Sequence, residues 1–342
     1  MTDRAESTRE AVLDGLRSNW YRPGWWAGSA LPWAVDRGRE RLEESYATLR
    51  RRRGIDVPAA EWDTLVVLDA CRWDTFRAAN SLDGHLRRVR SRGSATSEWL
   101  RENFYGRACH DIVYVTANPM HRAGAWVAPD GVDAGPDVLE GVFHDVIELW
   151  RDPDEQLRTT RPGTVADAAL EAAERYPDKR LLVHFMQPHY PFVGSFAREN
   201  GIGQQQFDRV RHIAETGETP DGSRTVWDRL RDGEYDRGTV ERAYEENLRA
   251  AMPAVERVVD RLDGLTVVTS DHGNAMGERT ALSGERLWGH PPGYQTPELT
   301  EVPWLVATPG ADRREVLAEP PATVDAGDQE AVEQRLADLG YV

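Results

Sequence analysis

Five short runs of apolar residues, separated by segments with helical periodicity, constrain the fold of this chain more than any other feature. The runs cover residues 64–68, 112–115, 181–186, 265–269 and 304–307. Continuous apolar runs of this length are typical of strands that are buried on both faces of a sheet. Their alternation with helical segments predicts an α/β fold, in which a mostly parallel sheet is covered by helices.

Two of the intervening segments predict helices clearly. One places apolar residues at positions i, i+3, i+4 and i+7, namely Val255, Val258, Val259 and Leu262. Gly264 follows these residues as a stop signal. A second predicted helix covers residues 165–175.

The remaining segments predict three divisions of the chain. Residues 1–60 are predicted to form an N-terminal extension, in which a tryptophan-rich segment is followed by a charged helical stretch over 35–53. Residues 61–310 are predicted to form the α/β catalytic domain. Residues 311–342 are predicted to form a tail that ends in a short helix over 330–339. Within the domain, residues 194–238 are polar and predict an excursion or a lid. We expect the aromatic extension to pack on its own domain, and peripheral contact with a membrane or a partner surface is the alternative.

Composition excludes several classes of function. The net charge is −16, and Lys179 is the only lysine among many arginines. This pattern resembles proteins of salt-loving archaea, whose surface carboxylates hold water; an acidic protein from a GC-rich genome is the alternative. General nucleic-acid binding needs a basic surface, so we expect no nucleic-acid partner.

Hydrophobicity and cysteine content predict the cellular compartment of the protein. No apolar run approaches the ~20 residues that span a bilayer, and the N-terminus has no apolar signal core. The two cysteines, Cys71 and Cys109, form no disulfide framework and no Cys-x-x-Cys motif. We therefore expect a cytoplasmic protein without a transmembrane segment.

Polar residues follow three of the predicted strands. Asp69 comes directly after the run 64–68, with Arg72 in the next turn, and Asp271 and His272 follow the run 265–269. Ligands of open parallel sheets bind beyond the carboxyl ends of the strands. Carboxylate and imidazole ligands suit Zn, Mn or Fe, and Mg or Ca less well. The alternative for Asp69 is a helix N-cap, and for the Asp-His pair a capping role.

Three histidines lie in or near the other predicted strands. His184 lies inside the run 181–186, and we interpret it as a core histidine. His189 follows the same run between two prolines, and His290 precedes the run 304–307 in the sequence GHPPGY. We expect His189 and His290 to be functional.

The motifs LDACRWD, PHYP, TSDHG, GHPPGY with VPWLV, and RLADLGY occur in this order over residues 62–342. In this order and spacing they resemble the alkaline phosphatase/sulfatase superfamily. The resemblance implies a doubly wound α/β sandwich and hydrolysis or transfer of phosphate or sulfate esters. It also implies one divalent metal (Mn, Zn, Mg or Ca), with a second metal as the alternative.

Residue by residue, the resemblance assigns metal binding to Asp69, Asp271 and His272. His189 and His290 resemble residues that bind the ester oxygens or protonate the leaving group, and Arg72 resembles an arginine near the first ligand. Arg72 and His290 are therefore predicted to bind substrate, although a structural role suits Arg72 as well.

A nucleophile is expected at a helix N-terminus, where N–H groups and the helix dipole stabilise an anion. Thr96, in SATSEWL, resembles the threonine nucleophile of lipoteichoic-acid-synthase-like and phosphodiesterase branches, and is predicted to bind the metal. Ser94 is the rival nucleophile, and a simple N-cap is the alternative for Thr96.

The cysteines decide between phosphate and sulfate chemistry. Formylglycine sulfatases need a Cys or Ser in a C/S-x-P-x-R motif, and the sequences after Cys71 and Cys109 do not match it. We therefore expect hydrolysis of phosphate mono- or diesters through a hydroxyl nucleophile, on a small-molecule, lipid-linked or glycan-linked ester. Transfer to an acceptor alcohol, sulfate-ester hydrolysis and a non-catalytic binding protein are the alternatives.

Overall fold

The computed structural model describes residues 51–321, except for 52, 130–131, 133–137, 204–211, 214–215, 217, 219–221, 223 and 282. Nearly all of the predicted N-terminal extension and the predicted helix 330–339 therefore lie outside the described residues. Within the described part of the chain, the strands are β1 (Thr64–Leu68), β2 (His85–Arg90), β3 (Cys109–Thr116), β4 (Phe143–Glu148), β5 (Arg180–Phe185), β6 (Thr266–Thr269), β7 (Ala275–Arg279), β8 (Arg286–Gly289) and β9 (Glu301–Val306).

Helices connect these strands. The α-helices of the described residues are α1 (Trp73–Ala79), α2 (Thr96–Phe104), α3 (Gly124–Val127), α4 (Pro162–Arg175), α5 (Ser195–Glu199), α6 (Val226–Arg231), α7 (Arg237–Arg261) and α8 (Pro297–Thr300). Short 3-10 turns occupy Pro119–Arg122 and Leu149–Arg151. None of these helices has the length and apolar character needed to cross a bilayer.

Seven of the described strands form one sheet in the order β2-β9-β6-β1-β5-β3-β4. The pairs β1/β5, β1/β6, β3/β5 and β3/β4 are parallel, and β9 runs antiparallel to both β6 and β2. A separate antiparallel hairpin pairs β7 with β8. The predicted α/β class with a mostly parallel sheet is confirmed.

The central strands bury both of their faces, which explains their continuous apolar sequences. In β1, Val66 and Leu68 belong to an apolar core that includes residues of α1, α4 and α7. Leu65 and Val67 point to the other face, in a core that includes Trp99 of α2. The sheet is therefore sandwiched between helices, as the resemblance implied.

Four strands were not expected from the sequence. β2 and β4 occupy the two edges of the sheet and carry half-buried or exposed residues, so they lack a continuous apolar run. β2 has the sequence HLRRVR, whose arginines suit an edge strand in contact with water. β7 and β8 form a hairpin outside the main sheet, and each of them includes charged residues.

Part of the predicted polar excursion folds onto the domain. The range 194–238 contains α5 and α6 and the first residues of α7. Trp227 of α6 packs in an apolar cluster with Tyr190, and with Tyr244 of α7. A lid function for this segment stays a prediction.

Candidate metal centre and active site

Three neighbouring strands place the polar residues of the site together at the carboxyl ends of the parallel strands. Asp69 follows β1 directly, Asp271 follows β6 after one residue, and His189 lies shortly after β5. The loops are tied together, because His189 donates its N–H to the Asp69 carbonyl oxygen at 3.1 Å. The Ala70 N–H donates to Asp271 Oδ1 at 3.0 Å. The parallel order β6-β1-β5 therefore brings the three motifs together.

Thr96 joins this group from a different element. It is the first residue of α2, and its Oγ1 donates to Asp271 Oδ2 at 2.8 Å. The same oxygen lies 3.3 Å from His272 Nε2. The N-cap of α2 is Ala95, so the hydroxyl of Thr96 is directed to the carboxylate and does not cap the helix.

His272 is held in one tautomer. Its Nδ1 lies 2.7 Å from the Gly273 carbonyl oxygen, which can only accept, so Nδ1 carries the proton. Burial lowers the pKa of His272 to about 4, and the neutral ring therefore directs the lone pair of Nε2 into the site. This atom is 3.4 Å from Asp271 Oδ2 and 3.6 Å from Asp69 Oδ1.

Among the described residues, no arginine or lysine forms an ion pair with the buried carboxylates of the site. Burial raises the pKa of Asp69, and the neighbouring charge of Asp271 raises it further. Burial also raises the pKa of Asp271. Asp69 Oδ1 is fully buried and has no hydrogen-bond partner among the described residues. Two carboxylates, an imidazole lone pair and a hydroxyl that converge on one point fit a divalent cation.

His184 belongs to the same group, although the sequence indicated a core position. It forms with Asp69 and Asp271 a buried Asp/His/Asp group whose ligand atoms lie close enough together to hold a metal. Its Nδ1 is 2.8 Å from the Tyr114 hydroxyl, while Nε2 has no hydrogen-bond partner among the described residues. His184 Nε2 is 3.8 Å and His272 Nε2 is 3.4 Å from Asp271 Oδ2, so both imidazoles lie within reach of a metal held by the two carboxylates.

Asn118 is a site residue that the sequence did not reveal. It lies two residues beyond β3, and its Nδ2 donates to Asp69 Oδ2 at 2.5 Å. Its Oδ1 accepts from the Met120 N–H at 2.8 Å, which fixes the amide orientation. The bond leaves Asp69 Oδ1 directed into the site. The sequence feature that could have indicated Asn118 is its position after β3, a fourth strand parallel to those that carry the other site residues.

Ser94, the rival nucleophile, is engaged elsewhere. Its hydroxyl lies 2.8 Å from Glu98 Oε2 and 3.0 Å from the Pro291 carbonyl oxygen. Glu98 is 3% exposed and also accepts from the N–H groups of Ser94 and Gly293. Ser94 therefore connects the start of α2 to the loop that carries His290.

His189 and His290 form a pair beside the metal group. Their Nε2 atoms lie 3.0 Å apart. His189 Nδ1 lies 2.6 Å from the Tyr190 carbonyl oxygen and so carries the proton of the neutral ring. Burial lowers the pKa of His189, and the proximity of His290 lowers it further. The His290 ring is 4.7 Å from that of His272 between centroids, so the pair extends from the metal group.

Arg72 lies behind the site. Its guanidinium donates to both carboxylate oxygens of Asp74, at 2.9 and 2.7 Å, and to Glu278 at 3.0 Å. It also donates to the Asn274 carbonyl oxygen at 2.8 Å. Because these partners occupy the guanidinium, this geometry favours a role in positioning the Asp271 loop over the predicted contact with substrate.

A cavity of about 460 Å³ opens onto the site. Asp69, Thr96, Asn118, His189 and His290 line one side of it. The space is large enough for an ester substrate next to Thr96.

No protein-family model and no curated protein matches this chain. Among solved structures, it is similar to the integral membrane protein lipooligosaccharide phosphoethanolamine transferase A of Neisseria meningitidis, with 14% identity and a TM-score of 0.42. That match covers 88% of this chain and 58% of the Neisseria protein, so the chain spans less than two thirds of its length.

The chain is also similar to the C-terminal periplasmic domain of Escherichia coli EptC in complex with Zn. That match has 13% identity and a TM-score of 0.42, and covers 73% of this chain and 74% of that domain. The corresponding domain of phosphoethanolamine transferase EptC from Campylobacter jejuni matches with 13% identity and a TM-score of 0.38, over 71% of this chain and 77% of that one. At this level of similarity, function has to be inferred from the chain's own side chains.

Proposed function

We propose that this chain is a metal-dependent phosphoester hydrolase, acting on mono- or diesters, in which Thr96 is the nucleophile. The contact that carries the proposal is the hydroxyl of Thr96, which donates to Asp271 at 2.8 Å beside the lone pair of His272. The hydroxyl also lies in the first turn of α2, whose N–H groups stabilise an anion.

Asp69, Asp271 and His272 would hold one divalent metal, with Thr96 as a further oxygen ligand. When bound, such a cation supplies positive charge that lowers the pKa of the hydroxyl and stabilises the anionic ester. Asn118 and the N–H groups of Ala70 and His272 orient the carboxylates for this purpose.

The residues of the chain account for a two-step reaction. Thr96 Oγ1 gives its proton to Asp271 Oδ2, to which it already donates, and forms a bond to phosphorus while the bond to the leaving alcohol breaks. The departing oxygen takes up a proton. His189 and His290 share a proton between their Nε2 atoms and are suited to provide it. Water then attacks the phosphorus, the bond to Thr96 Oγ1 breaks, and Oγ1 regains a proton. A monoester substrate thereby releases phosphate and a diester releases a phosphomonoester, whereas an acceptor alcohol in place of water would give transfer.

The cysteines argue against the formylglycine route to sulfate esters. Cys71 is fully buried, and burial raises the pKa of its thiol. It donates toward a backbone carbonyl and does not line the cavity. Among the residues that line the cavity, Thr96 has the hydroxyl that contacts Asp271 and His272, and a hydroxyl nucleophile favours phosphate esters over the formylglycine route.

Further properties are part of the proposal. The acidic, lysine-poor composition supports salt adaptation. The proposed location is the cytoplasm, and the substrate would be a small-molecule, lipid-linked or glycan-linked ester. The tryptophan-rich N-terminal segment would give peripheral membrane contact if the ester is on a lipid. Folding and activity measured against salt concentration, and vesicle sedimentation, test these points.

Turnover of bis(p-nitrophenyl) phosphate, p-nitrophenyl phosphate and p-nitrophenyl sulfate in concentrated salt tests the function. We expect phosphoester turnover that requires added Mn²⁺ or Zn²⁺, is lost in Thr96→Ala and is largely kept in Ser94→Ala. Intact mass spectrometry should detect the phosphothreonine. Wild-type turnover in Thr96→Ala or in Asp271→Ala, or a preference for the arylsulfate, would refute the proposal.

A further inference from the structure

Ala70, the residue after the proposed metal ligand Asp69, has an unusual backbone conformation. Its φ is +58°, in the left-handed region. The Cβ atom crowds the following carbonyl oxygen there, so alanine occupies this region roughly five- to thirtyfold less readily than the right-handed one. Glycine lacks Cβ and occupies both regions about equally. The turn after β1 is therefore strained, and other contacts have to hold it.

The strained turn joins the end of β1 to the end of β6. The N–H of Ala70 donates to Asp271 Oδ1 at 3.0 Å, and the N–H of Cys71 donates to Ser270 Oγ at 2.8 Å. Because Oδ1 is occupied in this way, the other oxygen of Asp271 accepts from Thr96 Oγ1 at 2.8 Å. The path of the chain through Ala70 therefore sets which carboxylate oxygen faces Thr96.

Tyr244 of α7 holds this turn through its hydroxyl. The hydroxyl oxygen accepts from the Arg72 N–H at 2.9 Å, and the O–H donates to the Ala70 carbonyl oxygen. Tyr244 is 1% exposed, and burial raises its pKa well above the ordinary value, so the hydroxyl keeps the proton that it donates. One hydroxyl thus bonds the carbonyl of the strained residue and the N–H two positions later.

The ring and the hydroxyl of Tyr244 have separate contacts. The ring packs in an apolar cluster with Tyr190 and Trp227, as a core aromatic residue would. Both hydrogen bonds of the hydroxyl go to the turn at Ala70 and Arg72. Removal of the hydroxyl alone therefore releases the turn and leaves the packing of α7 in place.

We propose that Tyr244 is a positioning residue for the metal site: its hydroxyl keeps Ala70 left-handed, and the turn then directs the Ala70 N–H to Asp271. The proposal rests on the metal-dependent function proposed above. Without the hydroxyl, the turn relaxes toward negative φ in the metal-free protein, and cation binding has to restore the strained form. The affinity for a divalent cation then falls in proportion to the fraction of protein that keeps this form.

Calorimetric titration of the full chain with Mn²⁺ measures this affinity without any turnover. Tyr244→Phe removes the hydroxyl and keeps the ring. Ala70→Gly removes the preference against the left-handed form, and the double variant combines the two changes. Tyr176→Phe is the matched control, because the Tyr176 hydroxyl also donates to an acceptor, Asp145, which lies on the edge strand β4.

We expect the Kd for Mn²⁺ to rise roughly five- to thirtyfold in Tyr244→Phe, the preference of alanine against the left-handed form. It should return to within about threefold of the wild-type value in the double variant, because glycine has no such preference. Ala70→Gly alone and Tyr176→Phe should each change the Kd by less than about twofold. A role of the hydroxyl in general stability would not be rescued by Ala70→Gly.

An unchanged Kd in Tyr244→Phe would overturn the proposal, as would a loss of affinity that Ala70→Gly does not recover. Failure of both Tyr244 variants to fold, seen by circular dichroism, would assign the hydroxyl to the stability of the whole domain and overturn it too. Failure of the metal-dependent function would appear separately, as absent Mn²⁺ binding by the wild-type protein.

Discussion

The buried carboxylate of Glu98 connects the start of α2, which carries the proposed nucleophile Thr96, to the loop of His290. Substitution of Glu98 by glutamine tests that connection. Oε1 accepts from the Gly293 N–H at 2.9 Å and from Arg51 at 2.8 Å. Oε2 accepts from the Ser94 N–H at 3.0 Å and from its hydroxyl at 2.8 Å. All four hydrogen bonds come from donors, and Arg101 adds an ion pair to Oε1 at 3.5 Å, so the carboxylate is matched to its surroundings.

The cost of Glu98→Gln follows from these contacts. The amide keeps one oxygen, which can serve Gly293 and Arg51, and its NH2 group can donate to the Ser94 hydroxyl. The N–H of Ser94 then has no acceptor, which costs about 1–3 kcal/mol, and the charge-assisted bond to Arg51 weakens by about 1 kcal/mol. We expect the free energy of unfolding to fall by about 2–4 kcal/mol.

The same change should reach the chemistry. Ser94 precedes Thr96, and Gly293 follows His290, so a loosened connection displaces the nucleophile relative to the histidine. Misplacement of about 1 Å can cost about a hundredfold in rate, and we expect kcat to fall about ten- to hundredfold with a small change in KM.

Urea denaturation and bis(p-nitrophenyl) phosphate kinetics measure both effects. Glu102→Gln on the same helix is the control, because its side chain is 34% exposed and pairs with Arg101 at the surface. That change should alter stability by less than about 0.5 kcal/mol and leave kcat unchanged. Wild-type stability in Glu98→Gln would refute the hydrogen-bond reasoning, and lost stability with full kcat would refute the link to catalysis.

Three further predictions concern the rest of the site and the domain. Chelation of the metal should lower the melting temperature, because no other cation among the described residues compensates the buried Asp69 and Asp271. Asp271→Asn should lose this response. An unchanged melting temperature on chelation would argue against a metal. Arg72→Met should lower the free energy of unfolding, measured by urea denaturation, by about 3–5 kcal/mol and leave KM unchanged. A raised KM in a protein of normal stability would instead support the predicted contact of Arg72 with substrate. Burial opposes ionisation of Glu148, but hydrogen bonds from His121 and Arg151 outweigh it and lower the pKa to about 2. The contribution of this carboxylate to the free energy of unfolding is present above pH 4.5 and is lost toward pH 2. Glu148→Gln should therefore remove about 1 kcal/mol of the pH-dependent stability in that window, seen as a flatter plot of melting temperature against pH. Parallel plots for the variant and the wild type would contradict this.

The central strands could be predicted from sequence because their environment is nearly uniform. β1, β5 and β6 are covered on both faces, so every residue after Arg180 at the start of β5 is apolar or neutral, and the runs stand out from their surroundings. The edge strands β2 and β4 meet water on one side, and their mixed sequences do not differ from those of loops.

The metal motifs could also be predicted, because parallel strands deliver their carboxyl ends to one edge of the sheet. Asp69 and the Asp271-His272 pair follow buried strands directly, and the structure brings them within hydrogen-bonding or ion-pair distance of Thr96 or of each other. Their role as metal ligands stays a prediction that the chelation experiment addresses.

The roles of single side chains depended on the tertiary structure. Sequence left Thr96 and Ser94 as rivals, interpreted His184 as a core residue and gave no sign of Asn118. The contacts of these residues come from distant parts of the chain: Thr96 meets Asp271 across 175 positions, and Asn118 meets Asp69 across 49. Their roles in the reaction stay predictions. The sequence alone therefore determined the α/β class and the edge of the sheet at which the site lies. Strand order and the direction of α2 determined which hydroxyl faces the carboxylates, since those depend on packing between elements and not on any local pattern.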